Sequence, residues 1–280
     1  MNTTMNARMT FLAVTAALAL SQPAMAQSSS AGSADETKFQ IDVGYFNLKA
    51  DTVLNYTGPS GGSGQVSFER DLGQDQVVNT FWVDSTWRVG RRHQLKLSYT
   101  QLSRERADQT LQRDFVWGGE TYNAGLTASS TSGAKVLGGY YRFAILRNDQ
   151  FEIGPSIGLG HLTLDAGIKA TGTVGGQSRT LDRSTSIGAI TGAVGAYTTA
   201  RPVKNLALHA DFLYIKVDLE NATASVTDWR FAADYYFSRN IGVGAQYKYN
   251  KYTMARGALS AELGGELEFQ GGQVFLTFRF

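Results

Sequence analysis

Apolar and polar residues alternate along much of the chain with a period of two. Between residues 151 and 159, the large apolar residues Phe151, Ile153, Ile157 and Leu159 are separated by Glu152 and by small residues. Side chains of a β-strand point alternately to its two faces, so this pattern predicts a strand with one apolar face. Ten such segments occur, at residues 39–45, 81–89, 95–99, 137–145, 151–159, 186–199, 206–214, 229–237, 241–249 and 273–280. The facing of the Gly- and Ala-rich segment 186–199 is left open by its pattern.

The connections between the predicted strands alternate between short and long. Four are tight, at residues 90–92, 147–150, 201–205 and 238–240. The other five are mostly longer and more polar, at about residues 57–76, 107–131, 167–183, 218–223 and 255–265. This alternation predicts an antiparallel up-and-down meander with short turns at one end and long loops at the other, as in outer-membrane barrels.

The composition of the face opposite the apolar one distinguishes a soluble β-sandwich from a barrel in lipid. In a soluble sheet this face ordinarily carries many Lys and Glu residues, but here it carries Gly, Ser, Thr, Tyr and isolated charges of both signs. The apolar face has no charge across the core of the clearer strands, where one charge would cost about 2–4 kcal/mol at the bilayer midplane. We therefore predict an all-β fold, a transmembrane antiparallel up-and-down β-barrel of ten strands, with eight or twelve as alternatives.

The first 26 residues have the pattern of a signal peptide. Arg8 precedes the apolar segment 10–20, and Ala24-Met25-Ala26 forms an A-x-A cleavage site. The apolar segment is too short to span a bilayer as a helix. We predict a signal peptide at residues 1–26, a disordered segment at 27–36 and the barrel at 37–280.

Charge and cysteine content exclude several classes of function. The formal net charge is +2, without the clustered basic surface that nucleic acid binding requires, and there is no cysteine. We expect no cofactor and no metal. The glycine-rich segment 58–64 lacks the Lys-Ser/Thr of a phosphate-binding loop. The basic turn Arg91-Arg92-His93 is interpreted as a solvated corner.

Charged residues on the polar face are predicted to line the lumen as a charge network. They are Asp42, Asp84, Lys96, Arg142, Glu152, His209, Asp211, Arg230, Asp234, Lys248 and Arg279. One interpretation is structural filling by ion pairs, and the other is a gate or selectivity filter built from the same charges. We favour structural filling because the interior of a small barrel is filled by side chains.

Aromatic residues on the apolar face cluster near the predicted short turns. An interfacial aromatic girdle is expected there, as in barrels that cross a bilayer. Its members are Trp87, Phe143, Phe151, Tyr235 and Phe237.

The best enzyme candidate is the segment around His161. His161, Thr163 and Asp165 share one face of a strand just beyond the predicted membrane-crossing part. A histidine beside a hydroxyl and a carboxylate supplies the groups that acyl transfer requires. Such a triad is, however, recognised by its geometry and not by sequence spacing. A rim histidine at a polar interface is therefore the favoured interpretation.

The final residues, QVFLTFRF, place Val274, Leu276, Phe278 and Phe280 on one face of the last predicted strand. In this ending and in its size, the chain resembles the small outer-membrane β-barrel proteins of Gram-negative bacteria, which have eight to ten strands and a C-terminal Phe as barrel-assembly signal. The resemblance implies that these four residues form that signal. It also implies a monomer in the cell outer membrane. The implied partners are lipid, lipopolysaccharide, periplasmic chaperones and the barrel-assembly machinery.

Functions in these families set the expectations for this chain. We expect a non-enzymatic barrel, either a narrow passive channel for small solutes or a protein with a structural or surface-interaction role. The alternative is an outer-membrane lipid-modifying hydrolase with a rim-located His161 site. The omptin-type protease needs acidic and histidine residues at the outer rim. His209 and Asp211 lie instead at the predicted periplasmic start of a strand, so that match is rejected.

Overall fold

The computed structural model describes residues 37–57, 63–117, 120–174, 177–219, 222–258 and 261–280. The predicted signal peptide 1–26, the segment 27–36 and residues 58–62 of the glycine-rich segment lie outside the described residues. The strands are β1 (Phe39–Thr57), β2 (Ser63–Ser67), β3 (Val77–Arg88), β4 (His93–Thr110), β5 (Phe115–Trp117), β6 (Glu120–Tyr122), β7 (Thr127–Phe143), β8 (Leu146–Arg147), β9 (Phe151–Val174), β10 (Gln177–Val203), β11 (Leu206–Leu219), β12 (Ala222–Tyr236), β13 (Ile241–Ala258) and β14 (Ala261–Arg279). No helix in the described ranges is long and apolar enough to cross a membrane.

Ten of these strands close into an antiparallel barrel. Its order is β1-β3-β4-β7-β9-β10-β11-β12-β13-β14, and β14 pairs back with β1. At the closing seam Phe278 lies opposite Ile41, and the backbone N–H of Phe280 donates to the carbonyl of Phe39 at 2.8 Å. A closed sheet has no edge with unpaired backbone groups, which is what a sheet in lipid requires. The predicted ten-stranded antiparallel barrel is confirmed.

The strands extend much further than predicted at the end of the barrel that carries the longer connections, here called the loop end. The segments 167–183, 218–223 and 255–265 were predicted as loops, but most of each is strand. β9 has 24 residues, although about 9–11 suffice to cross the hydrocarbon. The loop prediction was wrong because alternation continues there with small and polar outward residues, and long hairpins still satisfy their backbone groups by pairing.

The opposite end, here called the turn end, carries the short connections β3–β4, β7–β9, β10–β11 and β12–β13 together with Lys38 and Phe280. Residues 68–72 form the turn after β2. The barrel therefore has tight turns at one end and long strand extensions at the other.

Large apolar side chains cover the outside of the barrel in a continuous belt. Exposed members include Leu97, Ile157, Leu159, Ile190, Val194, Phe212, Phe231, Val274 and Leu276. The same set resolves the facing of segment 186–199, because Ile190 and Val194 point outward while Tyr197 is buried inside. A belt of this size is costly in water and favourable in lipid, so the outward face indicates a membrane-spanning barrel.

The inside changes character along the barrel, and β9 shows the sequence of layers. From the turn end, its inward residues are Glu152, four small residues, Leu162 and Leu164, and then Ala166, Ile168 and Ala170. Leu162 and Leu164 belong to an apolar layer that crosses the lumen, with Leu48, Trp82, Leu102, Met254, Leu267, Phe269 and Phe275 among its members. A barrel interior that is apolar over part of its height was not predicted.

A second apolar cluster, here called the cap, lies at the loop end. It joins inward residues of the barrel strands to the β1–β3 and β4–β7 connections, and includes Leu54, Phe68, Leu72, Leu111, Phe115, Trp117, Tyr122 and Ile168. The rings of Phe115 and Tyr122 stack at 5.0 Å between centroids. The two connections therefore fold over the barrel and bury their own apolar side chains there.

Glycines facing the lumen make room for aromatic rings on neighbouring strands. A Cβ at Gly44 would lie 2.4 Å from the indole of Trp82, and one at Gly244 would lie 2.2 Å from the ring of Phe275. The two rings themselves meet edge to face, with centroids 5.4 Å apart. Close packing of this kind closes space that would otherwise be a pore.

Candidate functional site

The centre of the lumen holds a cluster of buried ion pairs around Arg230. Its guanidinium contacts Asp211 at 2.6 Å and Asp84 at 3.5 Å, while Asp211 also pairs with Arg142 at 2.5 Å. Lys96 pairs with Asp84 at 2.8 Å. All five side chains come from inward positions of different strands, so the closure of the barrel brings residues far apart in sequence into one network. Opposite charges that satisfy one another in this way are tolerated away from water.

A second group surrounds Glu152 near the turn end. This carboxylate is fully buried. It forms an ion pair with Arg88 at 2.8 Å and accepts a hydrogen bond from the Tyr197 hydroxyl at 2.9 Å. Gln94 donates to it at 2.5 Å, and the guanidinium of Arg147 lies 3.5 Å away. Glu152 of β9 is therefore the point at which side chains from β3, β4, β8 and β10 meet.

The remaining predicted lumen charges lie in smaller groups. His209 Nε2 lies 3.1 Å from Asp234, and Gln40 donates to Asp42 at 2.9 Å and to Asp234 at 3.5 Å. Lys248 lies 3.7 Å from Asp228. Arg279 lies over the ring of Tyr236, 3.6 Å from its centroid, and donates to the Arg239 carbonyl at 2.8 Å.

The structure thus places the eleven predicted lumen residues inside the barrel or at its mouth, in several groups and not as one chain of contacts. Sequence reasoning missed Arg88, Asp228, Gln94 and Tyr197. The parity of Arg88 and of Asp228 within their strands was the signal that could have found these two. The polar partners Gln94 and Tyr197 carry no charge to draw attention, although both have inward parity.

The space beside the central cluster is small. A cavity of about 30 Å³ lies between Arg142, Asp211 and Arg230 on one side and Tyr252 and Phe269 on the other. A space of this size has room for no more than a few water molecules. Among the described residues, no group of three His, Asp or Glu side chains is arranged to hold a metal ion.

Charged residues also hold the cap in place. Asp71 accepts hydrogen bonds from the Ser67 backbone N–H at 2.8 Å, from Arg113 Nε at 2.8 Å and from Arg70 Nε at 3.1 Å. Arg113 belongs to the β4–β7 connection, so this clamp joins the two connections that form the cap. A second pair, Arg104 with Glu69, ties the cap to the wall of β4.

We predict that the cap loosens in acid. Burial alone would raise the pKa of Asp71, but hydrogen bonds from Arg113, Arg70 and Ser67 lower it to about 2 from the ordinary value of 3.8. A lowered folded-state pKa contributes stability that is complete above about pH 4 and is lost as the pH falls towards 2. Pepsin cleavage within residues 111–126 should therefore accelerate across this window.

The Asp71→Asn variant is the matched test of this acid effect. Its cap should be cleaved faster at pH 4 and should show a weaker pH dependence than the parent. Asp114→Asn removes a carboxylate from the same connection, where it accepts the Ala124 N–H at 2.6 Å, and should keep the parent's pH dependence. Identical pH profiles for Asp71→Asn and the parent would contradict the clamp.

His161 and its neighbours lie on the outer wall of the barrel. His161, Thr163 and Asp165 alternate with the buried Leu162 and Leu164, so they point outward. In register His161 lies opposite Leu137 and Ile190, which places it at the loop-side border of the apolar belt. Asp165 accepts a hydrogen bond from the Ser186 hydroxyl at 2.7 Å. Among the described contacts, none joins His161 to Thr163.

The predicted girdle residues and Phe280 lie at or near the turn end, whereas Val274 and Leu276 lie further along β14 within the belt. Trp87, Tyr235 and Phe237 are exposed, and Phe143 and Phe151 are half-buried, with Phe143 packed 5.3 Å from the ring of His93. Val274, Leu276 and Phe280 are exposed, and Phe278 is partly covered. At the opposite border of the belt, Trp229 stacks on Tyr247 and Tyr249.

No protein-family model matches the chain, and no curated protein is similar to it in sequence. Several solved structures are similar in fold. The outer membrane protease OmpT from Escherichia coli aligns with a TM-score of 0.56 at 11% identity, over 90% of this chain and 99% of that chain. The translocator domain of the autotransporter NalP from Neisseria meningitidis aligns with a TM-score of 0.47 at 14% identity, over 88% and 90%. The toluene transporter TodX from Pseudomonas putida aligns with a TM-score of 0.34 at 7% identity, over 87% and 90%. At these identities the likeness to OmpT shows the fold alone, which is that of an outer-membrane β-barrel.

Proposed function

We propose that this protein is a non-enzymatic, non-conducting barrel of the outer membrane with a structural or surface-interaction role. The observation that carries the proposal is the filled interior. The ion pairs around Glu152 and Arg230, the apolar layer and the cap follow one another along the barrel. Of the two non-enzymatic roles expected from the sequence, this filling favours the structural one over passive solute passage.

The electrostatics of the lumen support the same choice. A selectivity filter presents charges to a passing ion, whereas here Arg230, Asp211 and Asp84 are buried and paired with one another. An ion that entered would also meet the apolar layer around Phe269 and Leu267, where it would lose its hydration without gaining ligands.

The part of the molecule that would extend beyond the membrane is the loop end, where the strands are longest. In outer-membrane barrels the end with long connections is extracellular, so the β9–β10 hairpin would project from the cell surface. Its outward residues beyond His161 are small or polar, and they suit contact with water and lipopolysaccharide sugars better than contact with acyl chains. The proposed role is therefore exercised at this end.

Solute flux into proteoliposomes tests the proposal. Vesicles containing the folded barrel should swell no faster in an isotonic solution of a small sugar than vesicles without protein. Vesicles with an open porin are the positive control. Swelling that rises in proportion to the amount of this protein would replace the structural role by that of a channel.

A lipid-modifying hydrolase remains the second candidate, and one observation favours it. His161 points outward at the border of the apolar belt, where a lipid headgroup would reach it. The Thr163 hydroxyl would have to act as nucleophile after approaching His161. Deacylation of lipopolysaccharide by the parent, abolished in His161→Ala, would establish this function, and equal or absent activity in both would remove it.

A protease is not proposed. The likeness to OmpT concerns the fold, and His209 and Asp211 lie inside the barrel close to the start of β11, where Asp211 is occupied by Arg142 and Arg230.

A further inference from the structure

The turn end carries a basic pocket. It includes the Arg91-Arg92-His93 turn, which was interpreted from the sequence as a solvated corner. Its lining combines the β3–β4 turn, the β7–β9 connection and the last residues of β10. The β3–β4 turn contributes Arg91, Arg92 and His93. The β7–β9 connection contributes Arg147 and Asp149, and the end of β10 contributes Arg201. The pocket has a volume of about 430 Å³, within the range of roughly 300–1,000 Å³ typical of small-molecule sites.

The walls of this pocket are held by hydrogen bonds between the turns. The guanidinium of Arg147 donates to the Arg91 carbonyl, and the Arg92 carbonyl accepts from the Ala144 N–H at 2.8 Å. The Arg201 N–H donates to the Gln150 carbonyl at 2.6 Å. Because these contacts use the backbone of Arg91, Arg92 and Arg201, they fix the positions from which the three guanidinium groups extend.

The pocket carries a large excess of positive charge. Four arginines and one aspartate line it, so the formal charge of the lining is +3 with His93 neutral. The nearby Glu152 is fully buried and already engaged by Arg88 and Arg147. Like charges held together repel, and an anionic ligand would relieve that repulsion.

The chemistry of the lining selects among anions. Guanidinium groups present paired N–H donors that match the oxygens of a phosphate, and several of them can share one phosphate group. The cavity is larger than a bare phosphate ion, so it has room for a ligand that carries further atoms. Val89, Ile145 and Leu146 flank the basic turns and are exposed. These apolar residues mark the edge of the bilayer beside the pocket.

We propose that this pocket binds a phosphate-bearing anion. Its source is either the headgroup of an anionic phospholipid, with the acyl chains over Ile145 and Leu146, or a soluble phosphorylated compound reaching the mouth of the barrel. In outer-membrane barrels the end with short turns faces the periplasm, and both sources are present there.

The test uses the full barrel folded in an uncharged detergent. One arm titrates inorganic pyrophosphate by calorimetry. The other arm measures retention of phosphatidylglycerol against phosphatidylcholine by native mass spectrometry. The variant Arg91→Gln with Arg92→Gln removes two exposed charges of the pocket. The matched control, Lys38→Gln with Lys204→Gln, removes two exposed charges at the same end but outside the pocket.

We expect saturable binding to the parent, weakened about tenfold or more in the arginine variant and changed less than about twofold in the lysine control. Retention of phosphatidylglycerol without pyrophosphate binding identifies the lipid source, and pyrophosphate binding identifies the soluble one. Binding of neither probe overturns the proposal. Equal weakening in both variants also overturns it, because attraction to the general charge of this end would then suffice. Migration of the unboiled protein on a detergent gel confirms that each variant is folded.

Discussion

Replacing Arg230 by methionine should lower the free energy of unfolding by about 3–5 kcal/mol, because it leaves two carboxylates buried without their shared cation. Arg230 contacts Asp211 at 2.6 Å and Asp84 at 3.5 Å, and it also donates to Gln246 at 3.3 Å. Arg142 and Lys96 still pair with these two carboxylates, which sets the loss at the lower part of this range. Urea titration of the barrel in detergent, followed by the loss of the compact unboiled band, measures the change.

Two further variants make the Arg230 result specific. Adding Asp211→Asn to Arg230→Met should lower the stability further, because the buried Arg142 then loses the carboxylate that still pairs with it. Arg113→Met breaks a pair in the cap, where the arginine side chain is half exposed, and should cost no more than about 1 kcal/mol. If Arg230→Met unfolds at the same urea concentration as the parent, the central cluster does not stabilise the barrel.

Replacing Leu276 by arginine should cost about 2–4 kcal/mol, the penalty for a charge facing lipid near the bilayer midplane. Leu276 is 48% exposed and lies between the outward residues Val43 and Val243 of the two neighbouring strands. Unfolding of both proteins in phospholipid vesicles measures the difference.

Gln270→Arg is the matched control for the membrane position, because it changes the same strand and the same face. Gln270 lies six residues from Leu276, about 20 Å along the strand, and accepts from the Tyr247 hydroxyl at 3.2 Å. At this depth an arginine should cost about 0–1 kcal/mol. Equal costs at the two positions would mean that the belt around Leu276 does not lie in the hydrocarbon.

The fold could be predicted from the sequence because membrane strands obey a period of two with different chemistry on each face. The pattern of β14, with Val274 and Leu276 outward and Gln273 and Thr277 inward, carries enough information to place that strand. The extensions of β9 and β10 could not be predicted in this way. Outside lipid, small and polar outward residues such as Gly167 and Ser184 are equally compatible with a loop.

The interior was only partly predictable. Parity identifies which charges point inward, but pairing depends on register and on the tilt of strands around the barrel, so the contact of Arg142 with Asp211 could not be derived. The apolar layer was missed for a different reason. Leu162 and Leu164 have inward parity next to the outward His161, but parity alone does not show that they meet apolar side chains from other strands inside the barrel.

Single-channel recording across a planar lipid bilayer tests the central claim, the closed interior, most directly. With correctly folded protein, we predict no conductance steps above the leak of the bare bilayer at positive or negative voltage. The reason is that ion pairs, the apolar layer and the cap occupy the lumen in succession. Regular steps of uniform size, appearing in proportion to the protein added, would contradict the account and make the lumen charges around Arg230 the filter of a channel.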